Sequence, residues 1–148
     1  MVQNELKSEI EVLWDNDHNC AQSTAKGILN YYKFEKEGQI LSNSFLPYGG
    51  GFKEGSICGA ISGTLAAMSF ILSNSNVEND KIVELTNQMK SEFLEEFPSV
   101  NCHTILDPFR KPDGEIDKDN AERRNLCTKA VTNAANLAHQ IISNYLNT

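Results

Sequence analysis

The sequence predicts an all-α protein, a single-domain bundle of about five helices. In several segments, apolar residues recur at spacings of three and four, as on one face of an α-helix. No segment alternates apolar and polar residues in the manner of a half-buried strand. The length of 148 residues is typical of one domain, here residues 1–148, that buries its own hydrophobic core.

Two amphipathic helices are predicted in the first part of the chain. The apolar face of the first comprises Leu6, Ile10, Leu13 and Trp14, and the helix should end at Asp15-Asn16-Asp17. The second covers residues 19–32, which places Cys20 in its first turn. Glu37-Gly38 is expected to break this helix. The glycine-rich residues 47–52 that follow predict a loop before the central helix.

Three further helices are predicted after this loop. A buried central helix covers residues 57–72, where the apolar face comprises Ile57, Ile61, Leu65, Met68 and Leu72. A fourth helix follows and is ended near Pro98. After a short helical turn around Cys102, Asp119 and its capping-box partner Glu122 should open a long final helix, which carries Cys127 one or two turns from its start.

Composition excludes several classes of partner. The formal net charge of −7, from 20 acidic and 13 basic residues, repels phosphate backbones and anionic lipid surfaces, so no nucleic-acid partner is expected. The longest apolar stretch, residues 59–72, is shorter than the roughly 20 residues that a membrane-spanning helix needs, so no membrane insertion is expected. The first residues lack the pattern of a signal peptide, which favours a cytoplasmic location.

Four cysteines are the candidate chemical groups: Cys20, Cys58, Cys102 and Cys127. A reducing compartment does not sustain structural disulfides in most organisms. The chain has no Cys-x-x-Cys pair, so any joint site must be assembled by folding. Free thiols, metal ligation and a transient disulfide all remain open at this point.

Cys58 stands out because it follows the glycine-rich loop and lies near the start of the central helix. Free amides and the helix dipole favour a thiolate there, and thiolates are the reactive form of cysteine. Gly59 and Gly63 leave room for another helix, a second sulfur or a cofactor. The alternative interpretation is that Cys58 is a small buried hydrophobic residue and that the glycines only permit tight packing.

Histidines and arginines near the other cysteines suggest weaker hypotheses. His18 precedes Cys20 by two residues and His103 directly follows Cys102, so each imidazole is a candidate to lower a thiol pKa or to add a metal ligand. The alternative is that both are solvated loop residues. Cys127 is assigned to the core. Arg123 and Arg124, one turn before it, are assigned to a solvated helix face, although either could stabilise a sulfur anion.

The cysteines and the residues around them resemble a known family. The segments are Asn19-Cys20-Ala21-Gln22, then Gly49-Gly50-Gly51 leading into Cys58-Gly59-Ala60-Ile61-Ser62-Gly63, then Cys102 and Cys127. This pattern resembles the C_GCAxxG_C_C family of redox-active proteins over nearly the whole chain from Asn19. It is also similar to the C-terminal part of split-Soret cytochromes, without implying a haem, because no Cys-x-x-Cys-His motif is present.

Two positions depart from the family pattern. Ser56-Ile57 stands before Cys58 where the family label suggests a glycine. His103 follows Cys102 where an acidic or polar residue is expected. Neither departure removes a sulfur atom.

Three functional hypotheses follow. In the first, Cys58 exchanges electrons through a disulfide with Cys20, Cys102 or Cys127, serves an unknown redox partner protein and needs no cofactor. In the second, the four cysteines ligate an iron-sulfur cluster or zinc. In the third, the cysteines are only packed, and the helical face around Gly59, Gly63 and Ala67 forms a homodimer interface.

Overall fold

The computed structural model describes residues 2–148, and within them the fold is all-α, as predicted. The helices are α1 (Val2–Trp14), α2 (Cys20–Tyr31), α3 (Glu35–Ser44), α4 (Gly59–Asn74), α5 (Asn79–Phe93), α6 (Cys102–Ile105) and α7 (Ala121–Leu146). Two isolated β-bridges are the only extended pairing among these residues. The five predicted helices correspond to α1, α2, α4, α5 and α7, and α6 is the predicted helical turn.

Helix α3 was not predicted, because Gly38 was interpreted as a helix breaker. Gly38 instead lies inside α3 and is buried against α2. A Cβ atom at this position would lie 3.1 Å from Asn30 Oδ1 and 3.3 Å from Leu29 Cβ. The glycine therefore allows two helices to approach closely, and its packing outweighs its low helix propensity.

Two predicted helix starts are shifted in the structure. Asn120, rather than Asp119, caps α7, since its side-chain oxygen accepts hydrogen bonds from the amides of Glu122 at 2.8 Å and Arg123 at 3.3 Å. Helix α4 begins at Gly59 rather than at Ile57, because Ile57 pairs with Asn101 in a β-bridge. Cys58 is therefore the N-cap residue of α4.

The core lies where α2, α4 and α7 meet. Helix α2 packs against α1, α3, α4 and α7, and α7 also packs against α1, α4 and α5. The buried face of α2 includes Ile28 and Leu29, that of α4 includes Ile61 and Leu72, and Val131 of α7 is also fully buried. Each such side chain stabilises the fold by about 1.5–3 kcal/mol, so the helices that carry three of the cysteines are held firmly together.

Membrane insertion was not expected from the sequence. Among the described residues, no helix combines the length and the apolar character needed to cross a bilayer.

Candidate functional site

All four cysteines line one small cavity between the helices. Its other lining residues are Gly50, Gly51, Gly59, Ile105, Leu106 and Ala130. We call it the thiol cavity, and its volume is about 20 Å³, which is room for a single water-sized particle. All four cysteines are free thiols. The fold thus brings together four residues that are far apart in the sequence.

Helix α4 reaches α2 closely because two of its positions are glycine. A Cβ atom on Gly59 would lie 2.7 Å from Cys20 Cβ and 2.6 Å from the Ala21 amide nitrogen. One on Gly63 would collide with Thr24 Oγ1 and the Ala21 carbonyl oxygen. The two glycines therefore place the start of α4, with Cys58, beside the start of α2, with Cys20. The predicted close approach at Gly59 and Gly63 is to another helix of the same chain.

Cys58 and Cys102 are held by a short antiparallel pairing. The Cys58 amide donates to the Val100 carbonyl at 2.7 Å, and the Cys102 amide donates to the Ser56 carbonyl at 2.6 Å. These bonds flank the bridge between Ile57 and Asn101. Because side chains alternate along paired strands, Cys58 and Cys102 share one face of this pairing, which is the face towards the thiol cavity.

The glycine-rich loop that covers the thiol cavity has an unusual backbone. Gly50, Gly51, Phe52 and Lys53 have φ values of 62°, 61°, 60° and 61°, so four consecutive residues are left-handed. Phe52 and Lys53 adopt this conformation at a cost of about 1–2 kcal/mol each, since their Cβ atoms approach the backbone. Gly51 also lies so close to Cys102 that a Cβ atom there would be 2.8 Å from Cys102 Cβ. The loop is thus a strained cover on the cysteines.

The thiols of Cys20 and Cys127 interact directly. A hydrogen bond between them lowers the pKa of Cys127 and raises that of Cys20. These opposite directions correspond to a Cys20 thiol that donates to a Cys127 thiolate. Arg123 stabilises the same thiolate, since its Nη1 donates to Cys127 Sγ at 3.7 Å. Burial opposes ionisation, yet the pKa of Cys127 falls from its ordinary 9.0 to about 7. Cys127, assigned to the core from the sequence, is the most readily ionised of the four.

Cys58 is not the activated thiol that its position at a helix start predicted. The amides of Ala60 and Ile61 do favour its thiolate, but burial has the larger effect and raises the pKa of Cys58 to about 12. Only 7% of the residue is exposed. Burial, with a smaller contribution from the neighbouring Cys127, likewise raises the pKa of Cys102 to about 11. Both thiols therefore stay protonated at neutral pH.

Neither histidine forms the predicted pair with a cysteine. His18 Nδ1 is 3.1 Å from the carbonyl oxygen of Asn16 on the exposed surface. The His103 ring packs against Gly55, where a Cβ atom would collide with it. No side-chain hydrogen bond joins either histidine to Cys20 or Cys102 among the described residues. Arg123, rather than a histidine, is the cationic residue that contacts a cysteine sulfur.

Two open clefts adjoin the thiol cavity. The outer cleft, of about 450 Å³, is lined by Cys20, Cys102 and Cys127, by Arg123 and Arg124, and by Asp15 and Asp17. A second cleft of about 390 Å³, which we call the basic cleft, lies beside it and includes Lys53, Lys118 and Arg123. The clefts share five residues, namely Asn19, Gly50, Cys102, Leu106 and Arg123. Charges of both signs thus surround the outer cleft, whereas cations outnumber the single carboxylate, Glu115, in the basic cleft.

Comparison with known proteins finds a family match. Residues 18–141, well over half of the chain, match the family model described as "Putative redox-active protein (C_GCAxxG_C_C)". The chain belongs to the C_GCAxxG_C_C family. No curated protein and no solved structure matches it.

The C_GCAxxG_C_C match covers every residue of the thiol cavity. In this member of the family, the cysteines supply the sulfur atoms. The glycines at positions 59 and 63 allow α4 to pack closely against α2, which places Cys58 near Cys20. These glycines are covered by α2, and Ala67 is fully buried. The hypothesis that this face of α4 forms a dimer interface is therefore wrong, because the chain itself occupies it.

The four sulfur atoms do not form a recognisable metal site in their present arrangement. Within the described residues, no group of three or more His, Cys, Asp or Glu side chains is arranged to hold a metal ion. The thiol cavity has space for one ion but not for a cube of iron and sulfide atoms. Of the predicted cofactors, a single ion such as zinc fits the available space better than a cluster.

Sequence reasoning considered Arg123 but assigned it to a solvated helix face, and it missed Lys53 and Lys118. Arg123 lies four residues before Cys127, and residues at this spacing face each other on a helix, so the signal was present in the sequence. Lys53 and Lys118 carried no comparable signal, because only the fold brings them to the same cleft.

Proposed function

We propose that this protein is a thiol-disulfide redox protein in which Cys127 is the nucleophile and Cys20 the resolving thiol. The observation that carries the proposal is an arrangement in which Cys20 and Cys127 line the same small cavity and Arg123 Nη1 donates to Cys127 Sγ at 3.7 Å. It supplies a thiolate at neutral pH, a cation that stabilises it and a second thiol within reach, which are the parts that disulfide exchange needs. Membership of a redox-active family supports a redox role in general.

The proposed reaction transfers two electrons to a partner disulfide. The Cys127 thiolate attacks one sulfur of that disulfide, and the other half of the partner leaves as a thiolate with the electron pair of the broken bond. The Cys20 thiol then loses its proton to solvent and attacks Cys127 Sγ, which releases the second partner thiolate. The product is a Cys20–Cys127 disulfide and a reduced partner, and the reverse sequence oxidises the partner.

Cys58 and Cys102 have a later role in this proposal. Their raised pKa values keep them protonated at neutral pH, so they react slowly with an incoming disulfide. Both nevertheless line the same cavity as Cys127. We place them as a second dithiol that exchanges with the Cys20–Cys127 disulfide after it has formed.

A redox titration with mass spectrometry of alkylated peptides tests the proposal. We expect the first reversible disulfide to join Cys20 and Cys127, and Cys127→Ser to abolish it. Cys58→Ser is the matched control, because it also removes one buried sulfur of the thiol cavity but should leave that first disulfide intact. The absence of any cysteine pair that changes state reversibly would exclude the proposed function.

A single metal ion such as zinc is the second candidate function. The supporting observation is that four cysteines line a cavity with space for one ion, and four thiolates are a common ligand set for zinc. Burial, and to a lesser extent the charge of neighbouring Cys127, raises the pKa of Cys102, and a bound divalent cation would offset both effects. Native mass spectrometry of the reduced protein with added zinc distinguishes the two functions. One tightly held ion that protects all four cysteines from alkylation favours the metal site.

A further inference from the structure

The basic cleft carries cations that have no carboxylate partner. Within the described residues, five of the 13 lysines and arginines form salt bridges with Asp or Glu side chains, and five lysines outside the basic cleft form none. Lys53, Lys118 and Arg123 line the basic cleft and form none in residues 2–148. Glu115 is the single acidic residue of its lining. In a chain of net charge −7, this cleft is a local exception that attracts anions.

Arg123 differs from its neighbour Arg124 in its hydrogen bonds and ion pairs. Its Nη1 is directed to Cys127, but its Nε is buried and has no hydrogen-bond partner in the described structure. A buried donor without a partner costs about 1–3 kcal/mol. Neighbouring Arg124 differs, because it is paired with Asp15 at 3.1 Å and lies over the Trp14 ring. Of the two arginines, Arg123 is therefore the one that lines the basic cleft and whose charge no carboxylate offsets in the described residues.

The size of the basic cleft and its connection to the cysteines restrict its ligand. A volume of about 390 Å³ lies within the range of small-molecule sites, roughly 300–1,000 Å³. Arg123 and Cys102 belong to both clefts, and Cys127 lies in the outer one. The two clefts are therefore contiguous at Arg123 and Cys102, and Cys127 lies in the wall of the outer one.

We propose that the basic cleft binds the carboxylate of a small anionic disulfide, whose sulfur atoms then lie in the outer cleft beside Cys127. This inference rests on the proposed thiol-disulfide function and names its substrate class. Arg123 and the two lysines bind the carboxylate, and the Cys127 thiolate attacks the nearer sulfur. The rest of the molecule leaves as a thiolate that carries the electron pair of the broken S–S bond.

Three symmetrical disulfides of similar size but different charge test this substrate class. The probes are 3,3′-dithiodipropionate, which is anionic, hydroxyethyl disulfide, which is neutral, and cystamine, which is cationic. The rate at which each oxidises the reduced protein is measured by alkylation and mass spectrometry at low ionic strength. We expect the anionic probe to react roughly five- to tenfold faster than the neutral one, after correction for their rates with a free thiol, and the cationic probe to be slowest.

The lysines are tested with a matched pair of double variants. Lys53→Gln with Lys118→Gln should remove most of the preference for the anionic probe. Lys36→Gln with Lys129→Gln changes the net charge equally at exposed positions outside the basic cleft and should retain the preference. Equal corrected rates for all probes, a preference that survives in the first variant, or reaction with a protein disulfide alone would each overturn the substrate class. If no disulfide of any kind oxidises Cys127, the proposed function itself fails.

Discussion

At Cys127 and Cys58, the same two physical effects compete with opposite results. Burial favours the neutral thiol at both positions, and nearby hydrogen-bond donors favour the thiolate at both. Cys127 receives its hydrogen bonds from Cys20 and from the full positive charge of Arg123, whereas Cys58 receives them from two neutral amides. Hydrogen bonds that involve an ionised partner are roughly twice as strong as neutral ones. The Cys20 thiol, and after it the charge of Arg123, therefore lower the pKa of Cys127, whereas burial prevails at Cys58.

The pH dependence of alkylation tests this difference. In the wild-type protein, the rate of Cys127 modification by iodoacetamide should rise through pH 7, because its pKa is lowered to about 7. Cys20→Ala removes the hydrogen bond, which is the largest cause, and Arg123→Gln removes the charge. Each should move the inflection to higher pH and reduce the rate at pH 7 several-fold. Peptide-resolved mass spectrometry gives the rates.

Arg124→Gln is the matched control for this measurement. Arg124 contributes least among the causes that act on Cys127 and is engaged with Asp15. Its replacement should therefore shift the inflection less than Arg123→Gln does. Equal shifts in the two arginine variants would contradict the assignment of Arg123.

The raised pKa of Cys58 predicts a loss of stability at high pH. Its pKa is 9.0 ordinarily and about 12 in the folded protein. Between these values the folded state binds more protons than the unfolded state, so the free energy of unfolding falls as pH rises, by up to about 1.4 kcal/mol per pH unit. Below pH 9 the group has no effect on the slope. Urea unfolding of the reduced protein from pH 8 to 10.5 measures the dependence.

Cys58→Ala should flatten this dependence above pH 9, so the loss of stability relative to the wild type should be largest near pH 8 and should shrink as pH rises. Cys102→Ala should have a smaller effect on the slope, because its pKa is raised only to about 11. A Cys58→Ala protein with an unchanged slope would show that this thiol does not titrate as a buried group.

At the level of elements, the approach of α4 to α2 depends on Gly59. In an exposed helix, replacement of glycine by alanine stabilises by about 0.5–1 kcal/mol. At Gly59 the new methyl group would lie 2.6 Å from the Ala21 amide nitrogen, and backbone atoms cannot move aside as a flexible side chain can. We therefore expect Gly59→Ala to destabilise the protein by roughly 1–3 kcal/mol and to slow formation of any disulfide that involves Cys58. Thermal unfolding and the redox titration measure the two effects.

Gly38→Ala provides a comparison within another helix of the same bundle. Its new Cβ atom would meet neighbours at 3.1–3.3 Å, so small adjustments suffice and the cost should be lower than at Gly59. A Gly59→Ala protein that unfolds at a higher temperature than the wild type would refute the close-approach argument.

The sequence predicts most helices but not the chemistry at their ends. Periodic apolar residues indicate α1, α2, α4, α5 and α7, because burial of one helical face imposes that spacing. Gly38 is the reason that α3 is absent from the prediction. Glycine has low helix propensity, and its packing role becomes evident only when two helices meet. The prediction that Cys58 is a reactive thiolate differs from the structure for a similar reason. Its place at a helix start is readable from the sequence, whereas the depth of its burial is a tertiary property.

For the whole molecule, the cysteines connect elements that are distant along the chain. Cys20 opens α2 near the beginning, and Cys127 lies in the second turn of α7 near the end. The core holds these two helices together in the reduced protein, so the thiols can meet without a covalent bond. A disulfide between them would add a constraint across most of the fold.

Oxidation should therefore stabilise the protein. A disulfide that closes a loop of roughly a hundred residues reduces the entropy of the unfolded chain and contributes up to about 4–5 kcal/mol. Disulfides from Cys58 to Cys20 or Cys102 close shorter loops and should contribute less. We expect the melting temperature of the oxidised protein to exceed that of the reduced protein by several degrees, as measured by circular dichroism with and without reductant. The Cys20→Ala variant should lose most of this difference in melting temperature, whereas the control variant Cys58→Ala should keep it. A wild-type melting temperature that is the same in both redox states would contradict the Cys20–Cys127 assignment.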